Sequence, residues 1–326
     1  MALPYDSELE SITNDYFMAD GGKAVDIYFN TSFLLTHLLK QHKGIWERPD
    51  GGMVIRIPLE YDGQEAGFYG KGDTLSSDDR ESVHAAQFDW KHAFGNGTIY
   101  RIDGLKNTGD YAKVQLVTQR TAGAQKSITK ILAGSIFDSP GGSPKRLTGL
   151  RALCNATTTL AYGGIQQGDL VSADGTYPWT GRMSATATTI TLNALRTGAS
   201  AAKIRDGAGG KPDLVVTTET NWNVIADILQ AQQRFTSEGS GSVKAGFTGL
   251  YFEGKDIFPD DYSPASHMFF LNTNHIGFAV HKSGNFVRIP WRVIPDSPED
   301  KTMKILWDGN MVCNNRKAHQ GYSAMT

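Results

Sequence analysis

One stretch in the middle of the chain, residues 211–235, constrains the fold more than any other part of the sequence. It opens with a short apolar run, Leu214-Val-Val-Thr217, which has the length of a buried strand. Threonine and glutamate residues follow, and such residues favour the start of a helix. From residue 220 to about 232, apolar side chains then recur at helical spacing: Trp222, Ile225 and Leu229. The stretch therefore predicts a strand, a turn and an amphipathic helix.

A second, longer helical pattern runs from about Thr108 to Phe137. Its apolar positions recur at steps of three and four: Tyr111, Val114, Val117, Thr121, Ala124, Ile128 and Ile131. A helix of this length would span about 40 Å, so one small domain cannot cover it on every side. The final third of the chain instead predicts short strands at residues 249–252, 267–271, 286–289, 303–307 and 311–314. Together the patterns predict an α+β fold, with helices in the middle and antiparallel strand pairs late.

Composition indicates a folded protein and excludes several classes. Of the 326 residues, 40% are apolar and 20% are charged, which is typical of a globular chain. The net charge of −2 gives no reason to expect a concentrated basic face for nucleic acid. Cys154 and Cys313 are too few for a disulfide framework, and we expect two buried, reduced thiols. The start of the sequence does not resemble a signal peptide, and no apolar stretch approaches the ~18 residues of a membrane span. We therefore expect the protein to accumulate in the cytosol.

Histidines are the first candidates for chemistry. His267, His275 and His281 could form a metal cluster, but they lack the spacing of the known zinc motifs. We therefore expect packed or surface histidines.

Other motifs favour structure over catalysis. Gly207-Ala-Gly-Gly-Lys-Pro212 has the wrong glycine spacing for a phosphate loop, and proline replaces the hydroxyl residue that would bind magnesium. Asp260 and Asp261 lie in a stretch of turn composition. The segment from Phe286 to Arg292 has basic and aromatic residues that could read nucleic acid, but its alternation favours a half-buried strand. We predict no catalytic, cofactor or metal site, although a catalytic triad would not be visible in linear order.

Several segments, in their order along the chain, carry a resemblance to a known family. They are Gln87-Phe-Asp-Trp-Lys-His-Ala-Phe94, Thr148-Gly-Leu150, Gly210-Lys-Pro-Asp-Leu-Val-Val-Thr-Thr218, Gln232-Gln-Arg-Phe235, Phe269-Phe-Leu-Asn272 and Leu306-Trp-Asp-Gly-Asn-Met-Val-Cys-Asn-Asn-Arg316. With the order of the predicted elements, they resemble the major capsid proteins of tailed bacteriophages with the Hong Kong 97-type fold. The resemblance covers nearly the whole chain from about Ala24, and it rests on extended pattern rather than on one diagnostic motif.

The resemblance implies a domain organisation. It implies an N-terminal arm, an extended loop, a long spine helix in a peripheral domain, and an axial domain. The implied boundaries are 1–49 for the arm and first helix, 50–80 for the extended loop, 81–147 for the peripheral domain with its spine helix, 148–245 for the axial domain, and 246–326 for strands that return to the peripheral domain.

The resemblance also implies a function. The chain would be a coat protein that self-assembles through pentamers and hexamers into an icosahedral shell. That shell would enclose double-stranded DNA without sequence-specific binding and without a membrane. It would be assembled in the host cytoplasm and become the virion capsid, with scaffolding, portal and decoration proteins as further partners. The short arm favours a separate scaffolding protein, or none. An encapsulin-like nanocompartment, which shares the fold, is the alternative, and a monomeric enzyme or binding module is a third.

The segment from Tyr61 to Asp73 is the candidate contact between copies. It carries four glycines, three aromatic residues and several charges, so it is poorly suited to its own subunit's core. We predict that Tyr61, Phe68, Tyr69 and Lys71 contact a neighbouring subunit, because exposed aromatic groups mark interaction surfaces. Some members of the family cross-link such loops through a Lys–Asn isopeptide bond, but no partner for Lys71 can be assigned from the sequence.

Overall fold

The structure is a computed structural model of the whole chain, and its helices and strands are mixed along the sequence. It describes residues 32–41, 49–75, 80–106, 116–139, 143–157, 159–203, 210–230, 250–295 and 297–326. The helices are α1 (Phe33–Gln41), α2 (Arg101–Lys106), α3 (Leu116–Ile136), α4 (Leu150–Leu153), α5 (Leu192–Ala201) and α6 (Glu219–Gln230). The strands are β1 (Val54–Glu60), β2 (Val83–Asp89), β3 (Lys91–Ile99), β4 (Met183–Ser184), β5 (Leu214–Thr217), β6 (Leu250–Phe252), β7 (Lys255–Pro259), β8 (Met268–Leu271), β9 (Ile276–Val280), β10 (Val287–Ile294), β11 (Ser297–Cys313) and β12 (Gln320–Tyr322).

The chain divides into two compact units. Among the described residues, the first unit contains residues 92–132 and 282–308. The second contains residues 32–91, 133–281 and 309–326. Both units mix helix with sheet, so the predicted α+β class is confirmed.

In the first unit, a helix packs closely on a sheet in which β11 lies between β10 and β3. Two glycines of β3 make this approach possible. A Cβ atom added at Gly95 would lie 2.5 Å from the carbonyl oxygen of Ala124 in α3, and one at Gly97 would lie 3.3 Å from that of Arg120. Side chains of β11 and α3 complete the buried layer: Met303, Ile305, Trp307, Ala124, Ile128 and Leu132. The small residues in β3 therefore set how near helix and sheet lie.

The long helix α3 confirms the predicted helix within the described residues, and it shows which part of the apolar repeat is buried. It has 21 residues, or about 32 Å, and the part of the pattern before residue 116, including Tyr111 and Val114, lies outside the described residues. Ala124 and Ile128 are buried as expected, but Val117 is 49% exposed and Ile131 is 57% exposed. Val117 and Ile131 belong to the apolar repeat but not to the buried face of α3. The buried face steps instead from Ala124 to Ile128 to Leu132, and Ile131 lies about 100° from Leu132 around the helix.

A two-stranded ribbon lies in the second unit. β1 and β2 pair in antiparallel register, and alternate residues of β1 are buried. The ribbon rests on the segment near residue 162: the Phe88 ring lies 5.3 Å from the Tyr162 ring, and the backbone N–H of Gln87 donates to the carbonyl oxygen of Gly163 at 2.8 Å. This ribbon carries the loop that starts at Tyr61.

The second unit is built around a six-stranded sheet with the order β4-β12-β8-β5-β7-β6. β5 pairs parallel with β7 and antiparallel with β8, so the sheet is mixed. The predicted strand at 214–217 and the helix after it are confirmed, and residues 231–235 lie outside the described residues. The sheet joins strands from the segments 148–245 and 246–326, which the sequence-based domain boundaries had separated.

Helices cover both faces of this sheet. On one face, α5 and α6 bury a continuous apolar cluster that includes Leu195, Val215, Ile225, Ile257 and Phe270. On the other face, Phe33 of α1 stacks on Phe258 with 3.7 Å between ring centroids, and Phe137 lies 6.0 Å from Phe269. Consecutive residues of β5 point to opposite faces and are all buried, which explains why its sequence reads as a continuous apolar run.

Among the helices that the structure describes, none combines the length and the apolar character that a membrane span requires.

We expect Gly95→Val to destabilise the subunit by about 1–3 kcal/mol, because the added side chain must displace the backbone of α3. The measurement is the urea unfolding midpoint, followed by circular dichroism. Gly104→Ala is the matched control, since a Cβ at Gly104 meets no atom within 4 Å. An unchanged midpoint for Gly95→Val would contradict the close approach of β3 and α3.

Candidate assembly surface

Hydrogen bonds near its start hold the loop between β1 and β2 to the rest of the chain. The backbone N–H of Tyr61 donates to the carbonyl oxygen of Ser82 at 2.9 Å, and the Gln64 amide donates to that of Arg80 at 3.1 Å. These contacts continue the ribbon for a short distance, because they join the two chain segments that flank it. Tyr61 is half-buried here, so its ring is only partly available to a neighbour.

A second contact holds the base of the loop from the side. One carboxylate oxygen of Asp62 accepts from the backbone N–H of Gly63, and the other accepts from that of Ala173 at 2.9 Å. The described residues beyond this point, 63–75, are all exposed. The loop therefore projects from a fixed base.

Aromatic side chains lie at the exposed end of the loop. Phe68 is fully exposed and Tyr69 is 72% exposed, and Lys71 is also exposed. The next residues form a turn in which Gly72 has a φ of +96°, a conformation that favours glycine. The loop thus presents two large rings and a cation to the surroundings of the subunit.

Two other glycines of the loop, Gly63 and Gly67, have no steric role within this chain. A Cβ atom built at Gly63 or Gly67 would meet no atom within 4 Å. These positions contrast with Gly95, where the backbone of the same chain leaves no room. Glycines at these exposed positions leave the loop backbone without protruding side chains. Another molecule could therefore pack directly against that backbone.

Sequence reasoning missed the buried Arg316. Its Nε donates to the carbonyl oxygen of Leu153 at 3.0 Å, one terminal nitrogen donates to that of Trp179 at 3.1 Å, and the other donates to that of Asn155 at 2.8 Å. The guanidinium also lies 4.9 Å from the centre of the Tyr162 ring. One side chain therefore holds three segments of the second unit together.

Arg316 is almost completely buried, and two thiols lie near it. Burial lowers the pKa of Arg316, yet an arginine keeps its charge in proteins. Burial also raises the pKa of both Cys154 and Cys313 to about 12, so the thiols stay protonated. Both cysteines are buried and free, which confirms the prediction of reduced thiols.

The three histidines considered as metal ligands have separate partners. His267 Nδ1 lies 2.7 Å from the carbonyl oxygen of Ala265, and His275 Nδ1 lies 2.8 Å from Oδ1 of Asn314. His281 packs its ring 5.5 Å from that of Trp90. Among the described residues, no three groups of metal-binding type come together.

Asp260 does more than form the predicted turn. Its carboxylate accepts from the Ser32 hydroxyl at 2.9 Å and from the backbone N–H of Leu34 at 3.0 Å, so it caps the start of α1 from a distant part of the chain. It also accepts from the N–H of Tyr262, as an aspartate in a turn does. Burial raises the pKa of Asp260, and these three hydrogen bonds oppose that shift.

Comparisons with known proteins add the context for these surfaces. No protein-family model matches the sequence, and no curated protein matches it. A chain of the cyanophage A-1(L) capsid asymmetric unit is similar in structure, with a TM-score of 0.70 and 13% identity over 97% of this chain and 99% of that one. A capsid chain of a native GTA particle has a TM-score of 0.61 and 11% identity over 95% and 96%.

The encapsulin fold is a weaker match. The holo-SrpI encapsulin of Synechococcus elongatus PCC 7942 has a TM-score of 0.54 and 7% identity, over 96% of this chain and 94% of that one.

We expect Arg316→Gln to destabilise the subunit by about 3 kcal/mol or more, because buried carbonyl groups lose their donor. Chemical denaturation of the purified subunit measures this. Arg288→Gln, which removes the same charge from an exposed position of β10, should change stability little. Equal effects of the two changes would show that Arg316 does not hold these segments together.

Protonation of His319 should make the subunit sensitive to acid. Burial, followed by the nearby His275, lowers the pKa of His319 from 6.5 to about 3. The unfolded chain therefore binds a proton that the folded chain excludes, so stability is full above pH 6.5 and is lost as pH falls toward 3. Between pH 6.5 and pH 5, we expect a loss of about 1–2 kcal/mol from this residue.

Denaturant unfolding at a series of pH values tests this contribution. His319→Asn keeps an acceptor for the backbone N–H of Asn272, which Nδ1 of His319 accepts at 3.3 Å, but it cannot titrate. The variant should flatten the dependence on pH, whereas His84→Asn at an exposed position should leave it unchanged. A dependence that survives in His319→Asn would contradict the assignment.

The matched capsid chains are only 10–13% identical to this chain, so the likeness concerns the fold: this chain has the α+β fold of phage capsid subunits, as the sequence predicted.

Proposed function

We propose that this chain is the major capsid protein of a tailed bacteriophage, and that its copies assemble into an icosahedral shell around a double-stranded DNA genome. The observation that supports this best is the similarity to the cyanophage A-1(L) capsid chain, since it extends over 97% of this chain and 99% of that one. Such a role is structural and not enzymatic. It places the protein in the virion capsid after assembly in the host cytoplasm.

A closed shell requires each copy to present several interaction surfaces. Stable interfaces of this kind often bury on the order of 2,000 Å² or more. Large exposed apolar side chains in this subunit supply such area: Phe68 and Tyr69 on the loop, and Val117 and Ile131 on α3. The exposure of Val117 and Ile131 is then explained if a neighbouring copy covers this side of the helix.

The loop is the surface for which we propose a specific contact. Its base is fixed by Tyr61 and Asp62, while Phe68, Tyr69 and Lys71 project beyond it. A fixed base limits the positions that the exposed end can reach, which lowers the entropic cost of binding. We therefore propose that Phe68 and Tyr69 pack against a neighbouring subunit, with Lys71 at the rim of the contact and Tyr61 at its inner edge.

The assembly would consist of pentamers and hexamers, with scaffolding, portal and decoration proteins as further partners. In this proposal residues 50–80 act as the extended loop, residues 81–147 form the peripheral domain, and residues 148–245 form most of the axial domain. The encapsulin-like alternative predicts the same kind of shell with different contents. Enclosed enzyme cargo instead of DNA would favour that alternative.

Electron microscopy of the protein, expressed alone and with candidate scaffolding proteins, tests the proposed function. We expect rings of five or six subunits, or closed icosahedral particles. A stable monomer by light scattering under all of these conditions would contradict it.

Shortening the loop should separate folding from assembly. Replacing residues 64–74 by Gly-Gly removes the exposed end and leaves the residues of the β1–β2 ribbon in place. We expect a folded subunit with a near-normal circular dichroism spectrum that forms no stable shells. Intact particles of normal thermal stability would show that the loop is not an interface.

A pair of point variants refines the same test. Phe68→Ala with Tyr69→Ala should weaken particles, because aromatic groups at interface centres often contribute about 2 kcal/mol or more each. Tyr251→Ala removes an exposed ring elsewhere and should leave the particles intact. The measurement is the denaturant concentration at which particles dissociate, and equal values for both variants would argue against the proposed contact.

A further inference from the structure

A cleft of about 340 Å³ in the second unit is lined by residues of α5 and of the segment just after it, of the segment just before β5, and of the turn between β6 and β7 together with the start of β7. Of the eight residues that line it, four are cations, namely Arg196, Lys203, Lys211 and Lys255, and one, Glu253, is a carboxylate. This excess of positive charge contrasts with the whole chain, whose net charge is −2.

The single carboxylate of the cleft is already engaged. Arg196 Nε lies 2.7 Å from a carboxylate oxygen of Glu253. Lys255 Nζ donates instead to the backbone carbonyl oxygen of Glu253 at 3.1 Å. In the described parts of the chain, neither Lys203 nor Lys211 forms an ion pair. Among the described residues, three cations of the cleft, Lys203, Lys211 and Lys255, therefore form no ion pair of their own.

Lys255 is the most constrained of these cations. Its residue is only 7% exposed, and its ammonium lies 5.7 Å from the centre of the Phe252 ring, near which the Arg196 guanidinium also lies. Burial lowers the pKa of Lys255, Glu253 opposes this, and Lys211 and Arg196 lower it further. An anion bound in the cleft would stabilise the charged form of Lys255. Its attraction would offset the cost of burying the ammonium group and the repulsion from the neighbouring cations.

The backbone positions Lys255 before any ligand binds. β6 and β7 are joined by Glu253 and Gly254, with φ values of 47° and 83°. Two successive residues with positive φ form the tight turn that best suits the twist of a β-hairpin. The turn therefore directs Glu253 and Lys255 to the cleft as part of a rigid hairpin.

We propose that this cleft binds phosphate groups. Several cations around one space match an anion with several charged oxygens better than they match a single carboxylate. The phosphates come from the backbone of enclosed DNA, which rests on the proposed function, or from a small polyphosphate, which does not.

Titration calorimetry of the full-length protein with inorganic tripolyphosphate tests the site. We expect binding that weakens as salt concentration rises. Lys203→Gln with Lys211→Gln should weaken it by about tenfold for each lysine, as for a charged hydrogen bond. Lys301→Gln with Lys304→Gln, which removes equal charge from exposed positions of β11, should not.

Further measurements distinguish DNA from a small polyphosphate as the source of the phosphate groups, and distinguish failure of this inference from failure of the proposed function. Competition by a short DNA duplex would identify the DNA backbone as the source, and its absence would identify a small polyphosphate. Lys203→Arg with Lys211→Arg should retain binding, and circular dichroism shows whether each variant folds. No binding of tripolyphosphate, or equal losses in the two glutamine pairs, would overturn the proposal. Microscopy of the same samples reports assembly separately, so shells that form without phosphate binding would contradict only this inference.

Discussion

A guanidinium group buried among backbone carbonyl groups fixes the interior of the larger compact unit. Arg316 comes from the end of the chain, and its donors reach Leu153, Asn155 and Trp179. A buried cation is tolerated only if its hydrogen bonds are satisfied, so each of these carbonyl groups must keep its direction. The carbonyl group of Asn155 also restricts position 181 to glycine, because a Cβ atom there would lie 2.1 Å from its oxygen.

Sequence periodicity correctly predicted the helices and strands that depend on residues close together in the sequence. β5 and α6 follow from a continuous apolar run and a helical repeat, and both are present. The sequence predicted two strands, 303–307 and 311–314, where the structure has the single strand β11. One strand forms instead because its later residues pair with β9, and the Asn310 side chain donates to the backbone of Asp89. Such pairing is set by residues far away in sequence, so composition could not predict it.

Of the two candidate surfaces, the loop could be predicted from local sequence and the cationic cleft could not. The exposed end of the loop could be predicted, because its glycines and aromatic residues are contiguous and their local composition is poorly suited to a core. The cationic cleft could not, since Arg196, Lys211 and Lys255 belong to separate elements that only the fold brings together. The exposure of Ile131 also escaped prediction, because a helical repeat does not show how much of a face one subunit covers.

In the shell that we propose, the solubility of the free chain and the cohesion of the particle would place opposite demands on the loop. Phe68 and Tyr69 stand within a few residues of Gln64, Glu65, Lys71 and Asp73, so the exposed rings form a small apolar patch inside a polar segment. A patch of this size binds weakly in one copy, which limits unwanted association. In a closed shell, however, the same contact recurs at every subunit and each copy is held by several neighbours. Weak individual contacts can therefore give a stable particle whose subunits still exchange while it assembles.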